Sequence, residues 1–380
     1  MRLGGGIRHL RLTYLACLCF VLGLLAACAG PDRPKPADLG PNTALINVRP
    51  VWSSNIGRVA LPLEVRVLGN QFFVASSDGT VAAIDADTGT DQWRATLGTK
   101  LTAGVGSDGR YSAVVNAENE LIALESGKEL WRQRLNALTL TAPLVAGERI
   151  FVVSSDRTVS AFDAASGRRL WLQSRSGDAL VLGQSGVLLA VGDTLVAGIG
   201  GRLVGMSPLN GQSRWEAVLA SGRGTNEVER LVDLVSGVSR SGNQVCARAF
   251  QSAVACVDTA KGTVLWSKSA EGSKGLDGDD TSLFGSEADG KIVAWRRSDG
   301  ERLWSTDRLR FRILTAPLLA GRSIVVGDDA GTLYFLSRQD GTLLNRVTTD
   351  GSALAATPVL VGNTLVAVTQ RGGIFGFRPE

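Results

Sequence analysis

The 380-residue chain has a single histidine, His9, and it lies within the first 27 residues. Those residues read as an export signal, so the mature chain is expected to contain no imidazole. Histidine-driven acid–base chemistry, Ser-His-Asp and Cys-His nucleophiles and His-ligated metal sites are thereby excluded. No catalytic residue and no metal ligand set is assigned. Helical periodicity is missing as well, for no ten-residue stretch of the repeat region follows a 3.6-residue apolar period. Nor does one sign of charge dominate. Forty Lys and Arg face 36 Asp and Glu, and removing Arg2, Arg8 and Arg11 with the signal leaves 37 against 36. A near-neutral domain carries no electrostatic footprint for nucleic acid, which is not expected as a partner. The cysteines include no C-x-x-C and no vicinal pair, so no redox motif is assigned.

What is present begins at the N-terminus. Three arginines precede the apolar run "LTYLACLCFVLGLLAA" (12–27), which is too short and wrongly flanked for a stable membrane span. The run ends in "LAAC" (25–28), and small residues before a cysteine at this place resemble the lipobox of bacterial lipoproteins. The resemblance implies that Cys28 is lipid-modified and becomes the mature N-terminus; ordinary cleavage beside an incidental cysteine is the other reading. Each buried CH₂ of an acyl chain contributes about 0.8 kcal/mol to membrane binding. Ala29, where an Asp would signal inner-membrane retention, points to the outer membrane. The Pro-rich stretch 31–44 reads as an extended tether. The expected organisation is a signal over 1–27, a lipidated N-terminus and flexible tether over 28–44, and one folded domain over 45–380.

One phrase recurs through that domain: "DADTGTDQW" (85–93), "LESGKELW" (124–131), "DAASGRRLW" (163–171), "DTAKGTVLW" (258–266) and "RRSDGERLW" (296–304). Trp52, Trp93, Trp131, Trp171, Trp215, Trp266 and Trp304 are spaced by 41, 38, 40, 44, 51 and 38 residues. Asn345 falls 41 residues after Trp304, where the next Trp belongs, and marks a docking site expected to be looser. A period near 40 signals a propeller or a solenoid. Within each repeat, short apolar runs alternate with Asp/Asn/Gly turns, giving four antiparallel strands with the Trp on the fourth. Such a sheet cannot bury both faces alone and must stack radially. Trp52 lacks a preceding hairpin, whereas the last unit offers only three strands, near 355–361, 364–369 and 373–378. The fold expected is therefore all-β, an eight-bladed β-propeller of four-stranded antiparallel blades. Its ring is closed by the N-terminal strand pairing with the C-terminal blade.

The "D-x-x-x-G-x-x-x-W" phrase resembles the tryptophan-docking repeat of PQQ-type eight-bladed propellers. With the lipobox, the length and the segment "GRGTNEVERLVDL" (222–234), the chain resembles the propeller lipoproteins of the outer-membrane β-barrel assembly machine. That resemblance covers the whole chain, though only "TNEVERL" is specific to the lipoproteins. It implies a non-catalytic scaffold without cofactor, lipid-anchored at the periplasmic face of the outer membrane. The scaffold would bind the central barrel-inserting subunit and aid delivery or insertion of outer-membrane proteins, unfolded clients being further partners. The runner-up, suggested by the repeat alone, is a quinoprotein dehydrogenase-like enzyme holding PQQ beside a Ca²⁺ cluster of carboxylates and amides. No such cluster can be placed at the axis from the sequence.

The stretched Trp intervals of 44 and 51 residues place extra chain at 174–186 and 219–237, after successive fourth strands. Both loops open on one rim and should form one raised patch holding Leu180, Leu182, Glu229, Arg230 and Asp233. A Leu pair packed into the blade beside a local surface charge network is the alternative. The resemblance carries Leu180, Leu182 and Asp233 over as contacts to the barrel-inserting subunit. Two departures stand out: the family's Arg after the second Leu is missing, and Val235 stands where a second acid is common.

Cys246 and Cys256 lie on the two arms of an expected hairpin centred near Gln251, read either as a structural disulfide or as two buried thiols. "LDGDD" (276–280) lacks the spaced ligands of a Ca²⁺ loop and reads as a solvated turn. "RLRFR" (308–312) reads as a strand with Arg308, Arg310 and Arg312 on the outer face opposite Leu309 and Phe311, rather than as a lipid or nucleic-acid patch. "GIGGR" (198–202) opens no helix and reads as a hairpin turn.

Overall fold

The computed structural model describes residues 34–175, 180–222, 225–226 and 231–379. Cys28, Glu229 and Arg230 lie outside the described residues. The architecture is all-β: eight sheets of four antiparallel strands. Seven blades are contiguous, at 66–96, 106–134, 144–174, 188–218, 234–269, 276–306 and 318–348, and are numbered one to seven in that order. Blade eight joins the strands Val359–Val361, Thr364–Val368 and Gly373–Pro379 to the N-terminal strand Val48–Asn55.

The strand patterns follow from radial stacking. The second and third strands of each blade lie between two neighbouring blades and are apolar on both faces, as in "FVA" (73–75) and "VAAI" (81–84), which are buried throughout. The fourth strand is the outer edge and alternates, so that Gln92, Arg94 and Thr96 are exposed while Trp93 and Ala95 are half-buried.

The recurring phrase packs one blade against the next. In blade one, the Asp85 carboxylate accepts the backbone N–H groups of Asp87 and Thr88 at 3.0 Å, which closes the turn. Gly89 then takes φ +71°, and a Cβ there would stand 2.5 Å from the ring of Trp52. The glycine is the seat for the preceding blade's indole. The same arrangement pairs Trp93 with Gly127, Trp131 with Gly167, Trp171 with Gly211, Trp215 with Gly262, Trp266 with Gly300 and Trp304 with Gly341. The indole N–H of Trp52, Trp131, Trp171, Trp266 and Trp304 also donates to a backbone carbonyl of the receiving blade at 2.7–3.0 Å.

Asn345 breaks this pattern because blade eight has no turn between its third and fourth strands. Its third strand ends at Pro379 and its fourth begins at Val48, so no glycine-bearing turn joins them to seat an indole. Asn345 is buried, donates to Ile46 O at 2.8 Å and accepts from Asn42 Nδ2 at 3.0 Å. The expected looser docking site is instead a polar junction with the incoming arm.

That arm changes the tether. The compact unit begins at Ala37. Ala37 N donates to Arg310 O at 3.0 Å, Asn42 Nδ2 to Arg346 O at 3.1 Å and Leu45 N to Leu344 O at 2.7 Å. Arg346 Nη2 also bonds Gly40 O, and Leu39 packs against a buried cluster of blades six and seven. Residues 37–44, expected to be free linker, are laid down on the propeller.

Three further expectations meet the structure directly. Cys246 and Cys256 are register partners in blade five and form a disulfide. "GIGGR" forms the turn between the strands Thr194–Ile199 and Arg202–Met206. "LDGDD" is not wholly a turn: Leu276–Gly278 is the innermost strand of blade six, and Asp277 accepts Leu319 N at 2.7 Å.

"RLRFR" is not a strand. Residues 308–311 form a turn between blades six and seven, with Leu309 fully buried and Phe311 exposed at φ +65°. Turn bonds from Arg310 N to Asp307 O and from Arg312 N to Leu309 O outcompete the extended form that alternation suggested.

Candidate functional site

In a four-stranded antiparallel blade, the connectors between blades and the turns between second and third strands share one rim. The two enlarged connectors therefore open on the rim that also carries the turn 154–157 of blade three. All three meet. The Asp233 carboxylate accepts Leu182 N at 3.0 Å through one oxygen and lies 3.5 Å from Arg157 Nη1 through the other. Arg157 Nη2 donates to Leu180 O at 3.4 Å. One carboxylate and one guanidinium from separate blades thus clamp the first connector. The side chains of this pair are only 10% and 15% exposed, so water screens them little.

Of the five expected contact residues, Leu180, Leu182 and Asp233 are brought together. Leu180 is exposed and Leu182 half-buried. Asp233 is not a free rim charge, because both its oxygens are engaged within the domain. Val235, where a second acid was awaited, is buried on the inner strand of blade five, a position that would penalise a carboxylate.

Sequence reasoning missed Arg157. Its signal was present: the turns between second and third strands read "SSDG" (76–79), "NAEN" (116–119) and "EADG" (287–290), but "SSDR" at 154–157. The last position needs a left-handed backbone, held by Gly79 and Asn119 elsewhere, whereas Arg157 adopts φ +63°. A bulky side chain there is costly and reports a retained interaction.

Beside the clamp runs a groove lined by Arg175, Leu180, Glu216, Val218, Leu231 and Val232. Leu180 and Val218 expose apolar surface along it. Arg175 and Arg202 both pair with Glu216 at its edge. The groove is polar over most of its lining, with exposed Leu180 and Val218 set beside charged side chains, a mixture that protein interfaces also show.

The first connector continues inward across the axial channel. Ser185 Oγ bonds Glu64 at the entrance to blade one, Gly186 N donates to Thr141 Oγ1 at 2.9 Å, and Lys274 Nζ donates to Gln184 Oε1 at 3.2 Å. Protein packs around Glu64, and this burial pushes its carboxyl above the ordinary 4.5. Hydrogen bonds to Ser185 and Ser236 and the charge of Arg66 offset the shift only in part. Burial likewise lowers the Lys274 ammonium. A carboxyl raised in the folded state stabilises the fold below its ordinary value, and that contribution disappears as pH rises through the raised value. Glu64→Gln keeps an acceptor for Ser185 and should remove this slope. It is expected to match the parent near pH 4 and exceed it in urea resistance at pH 7; parallel pH profiles for the two proteins would refute this.

The channel also bears on the quinone reading. The Glu64–Ser185 and Lys274–Gln184 links run along a cavity also lined by Leu63, Val235 and Ala316. Among the described residues, no three Asp, Glu, His or Cys side chains gather as a cation site.

Comparison with known proteins accords with this architecture. The family model described as "Outer membrane protein assembly factor BamB" matches residues 77–306. The outer membrane protein assembly factor BamB of Burkholderia pseudomallei is 36% identical over 96% of this chain and 97% of its own length. The crystal structure of BamB from Moraxella catarrhalis superposes with a TM-score of 0.79 at 25% identity, covering 87% of this chain and all of that one. A quinohemoprotein alcohol dehydrogenase from Comamonas testosteroni has a TM-score of 0.67, covering 88% of this chain and 77% of that one. At 13% identity, that likeness is one of fold alone.

Proposed function

This chain belongs to the outer membrane protein assembly factor BamB family, and from that premise we propose that it is a non-catalytic scaffold for outer-membrane protein assembly. It is anchored through Cys28 at the periplasmic face of the outer membrane and binds the barrel-inserting subunit through the groove between its two enlarged connectors. Unfolded outer-membrane proteins are the clients of the assembled complex. The observation that carries the reading is the convergence of both stretched connectors on Asp233, which sets exposed Leu180 and Val218 beside the Arg175–Glu216 pair. Backbone bonds of Leu180 with Arg157 and of Leu182 with Asp233 hold the first connector, which reduces the ordering entropy lost on docking. The contribution to assembly is orientation and local concentration.

The test uses exposed groove residues and leaves the internal clamp intact. Leu180→Asp combined with Val218→Asp replaces the groove's two exposed aliphatic side chains with carboxylates. The variant is expected to lose the barrel subunit when membranes are gently solubilised and the lipoprotein is recovered, with its melting transition unchanged. Equal recovery of the subunit by variant and parent would rule the groove out.

A further inference from the structure

We propose that the turn 307–313 between blades six and seven is a membrane-contact surface, which seats the domain on a bilayer containing anionic phospholipid. The inference rests on the reading that Cys28 carries the lipid anchor.

The first observation is the turn itself. Phe311 is 39% and Ile313 55% exposed, two residues apart in the connector between blades six and seven. Phe311 holds a left-handed backbone, rare for an aromatic residue, and its N–H donates to Asp289 O at 2.7 Å. Gly290 leaves room for it, since a Cβ there would lie 2.9 Å from Phe311 N and 2.4 Å from Leu309 O. Buried Leu309 secures the turn from below. The backbone is thus fixed in a form that presents the ring outward.

Charge is arranged to match. Arg312 turns inward, where Nε donates to Tyr334 Oη at 3.0 Å and lies 3.9 Å from Asp328. Arg308 and Arg310 remain exposed, and Arg310 lies over the Phe311 ring at 4.9 Å. Nearby Asp289 is paired with Lys291 at 2.8 Å, which leaves Asp307 as the acid on the turn. Aromatic and aliphatic tips flanked by arginines suit the headgroup boundary, where the rings enter and the cations meet phosphate.

The second observation identifies the occupant. Ala37 N is bonded to Arg310 O, so the chain from the anchor reaches the domain on this turn. From Cys28 to Ala37 there are nine residues, spanning at most about 30 Å. Had the linker run free to residue 44, the reach would be about 50 Å. The docked arm therefore shortens the leash and brings Phe311 and Ile313 to the bilayer. A lipid surface is the one partner that the covalent chain itself delivers to this place.

The experiment uses the full-length lipoprotein in vesicles, with an environment-sensitive fluorophore on Ile313→Cys and, separately, on Asn363→Cys at the opposite rim. Vesicles of phosphatidylethanolamine and phosphatidylglycerol carry a bilayer-embedded quencher. The label at 313 should be quenched and that at 363 should stay bright. Arg308→Glu with Arg310→Glu should reduce the quenching at 313, as should raising salt towards 1 M, where the Debye length is about 3 Å. Protein that floats with the vesicles yet keeps an unquenched label at 313 would overturn the inference and leave the anchor standing. Failure to float would remove the leash and the inference together. Protection at 313 that appears only with the other assembly proteins would assign the turn to a protein partner and also overturn it.

Discussion

Trp266→Ala is expected to cost the fold about 3–5 kcal/mol, the range for removing a large buried aromatic side chain. Trp266 is 9% exposed and packs with Cys256, Leu276 and Trp295 between blades five and six. Its N–H donates to Arg297 O at 2.7 Å, and its ring lies on Gly300. Truncation therefore opens a cavity and strands a carbonyl at one blade interface. A closed ring transmits such a loss, because each blade depends on both neighbours for its buried faces. The reverse change at the exceptional position should also destabilise. Asn345→Trp restores the repeat's consensus but has no glycine seat, and it expels the bonds to Ile46 and Asn42. Overpacking there costs about 1–3 kcal/mol. Urea unfolding of the two variants is decisive: a stabilised Asn345→Trp would show that blade eight can receive an indole after all.

Arg157→Gly is expected to weaken binding of the barrel subunit about tenfold or more, roughly 1.4 kcal/mol, while altering fold stability little. The loss at the clamp, about 1–3 kcal/mol for a poorly paired buried group, is partly offset by relief of the left-handed strain, about 1–2 kcal/mol. What goes is the placement of Leu180 and Leu182, whose backbone groups are held by Arg157 and Asp233. Gly183→Arg in the same protein should restore part of the affinity. A Cβ at position 183 meets nothing within 4 Å, and a guanidinium beside Leu182 can return to Asp233. Affinity measured on purified subunit checks both steps. Unchanged binding by Arg157→Gly would show that the connector holds its shape without the clamp.

The two cases differ in how much could be read from the chain. Trp266 and its relatives were legible because a docking repeat is local: the turn, the glycine and the indole recur at fixed offsets. Arg157 is 76 residues from Asp233, and its role depends on two blades meeting at one rim. Only an arginine where the turns at 76–79, 116–119 and 287–290 carry Gly or Asn hinted at it. The same limit explains "RLRFR". Alternation alone favoured a strand, but backbone bonds within the turn and the burial of Leu309 decided otherwise.

By itself, then, the sequence determined the blade count, the four-strand unit, the ring closure through Trp52 and the place of the enlarged connectors. These follow from periodicity and from the need of every apolar sheet to find a neighbour. Tertiary structure alone decided that Asp233 faces inward, that Asn345 receives the N-terminal arm, that the linker shortens to Ala37 and that Phe311 points outward. Each of those outcomes depends on which distant backbone groups a folded ring brings within hydrogen-bonding reach, and no repeat in the chain encodes that distance.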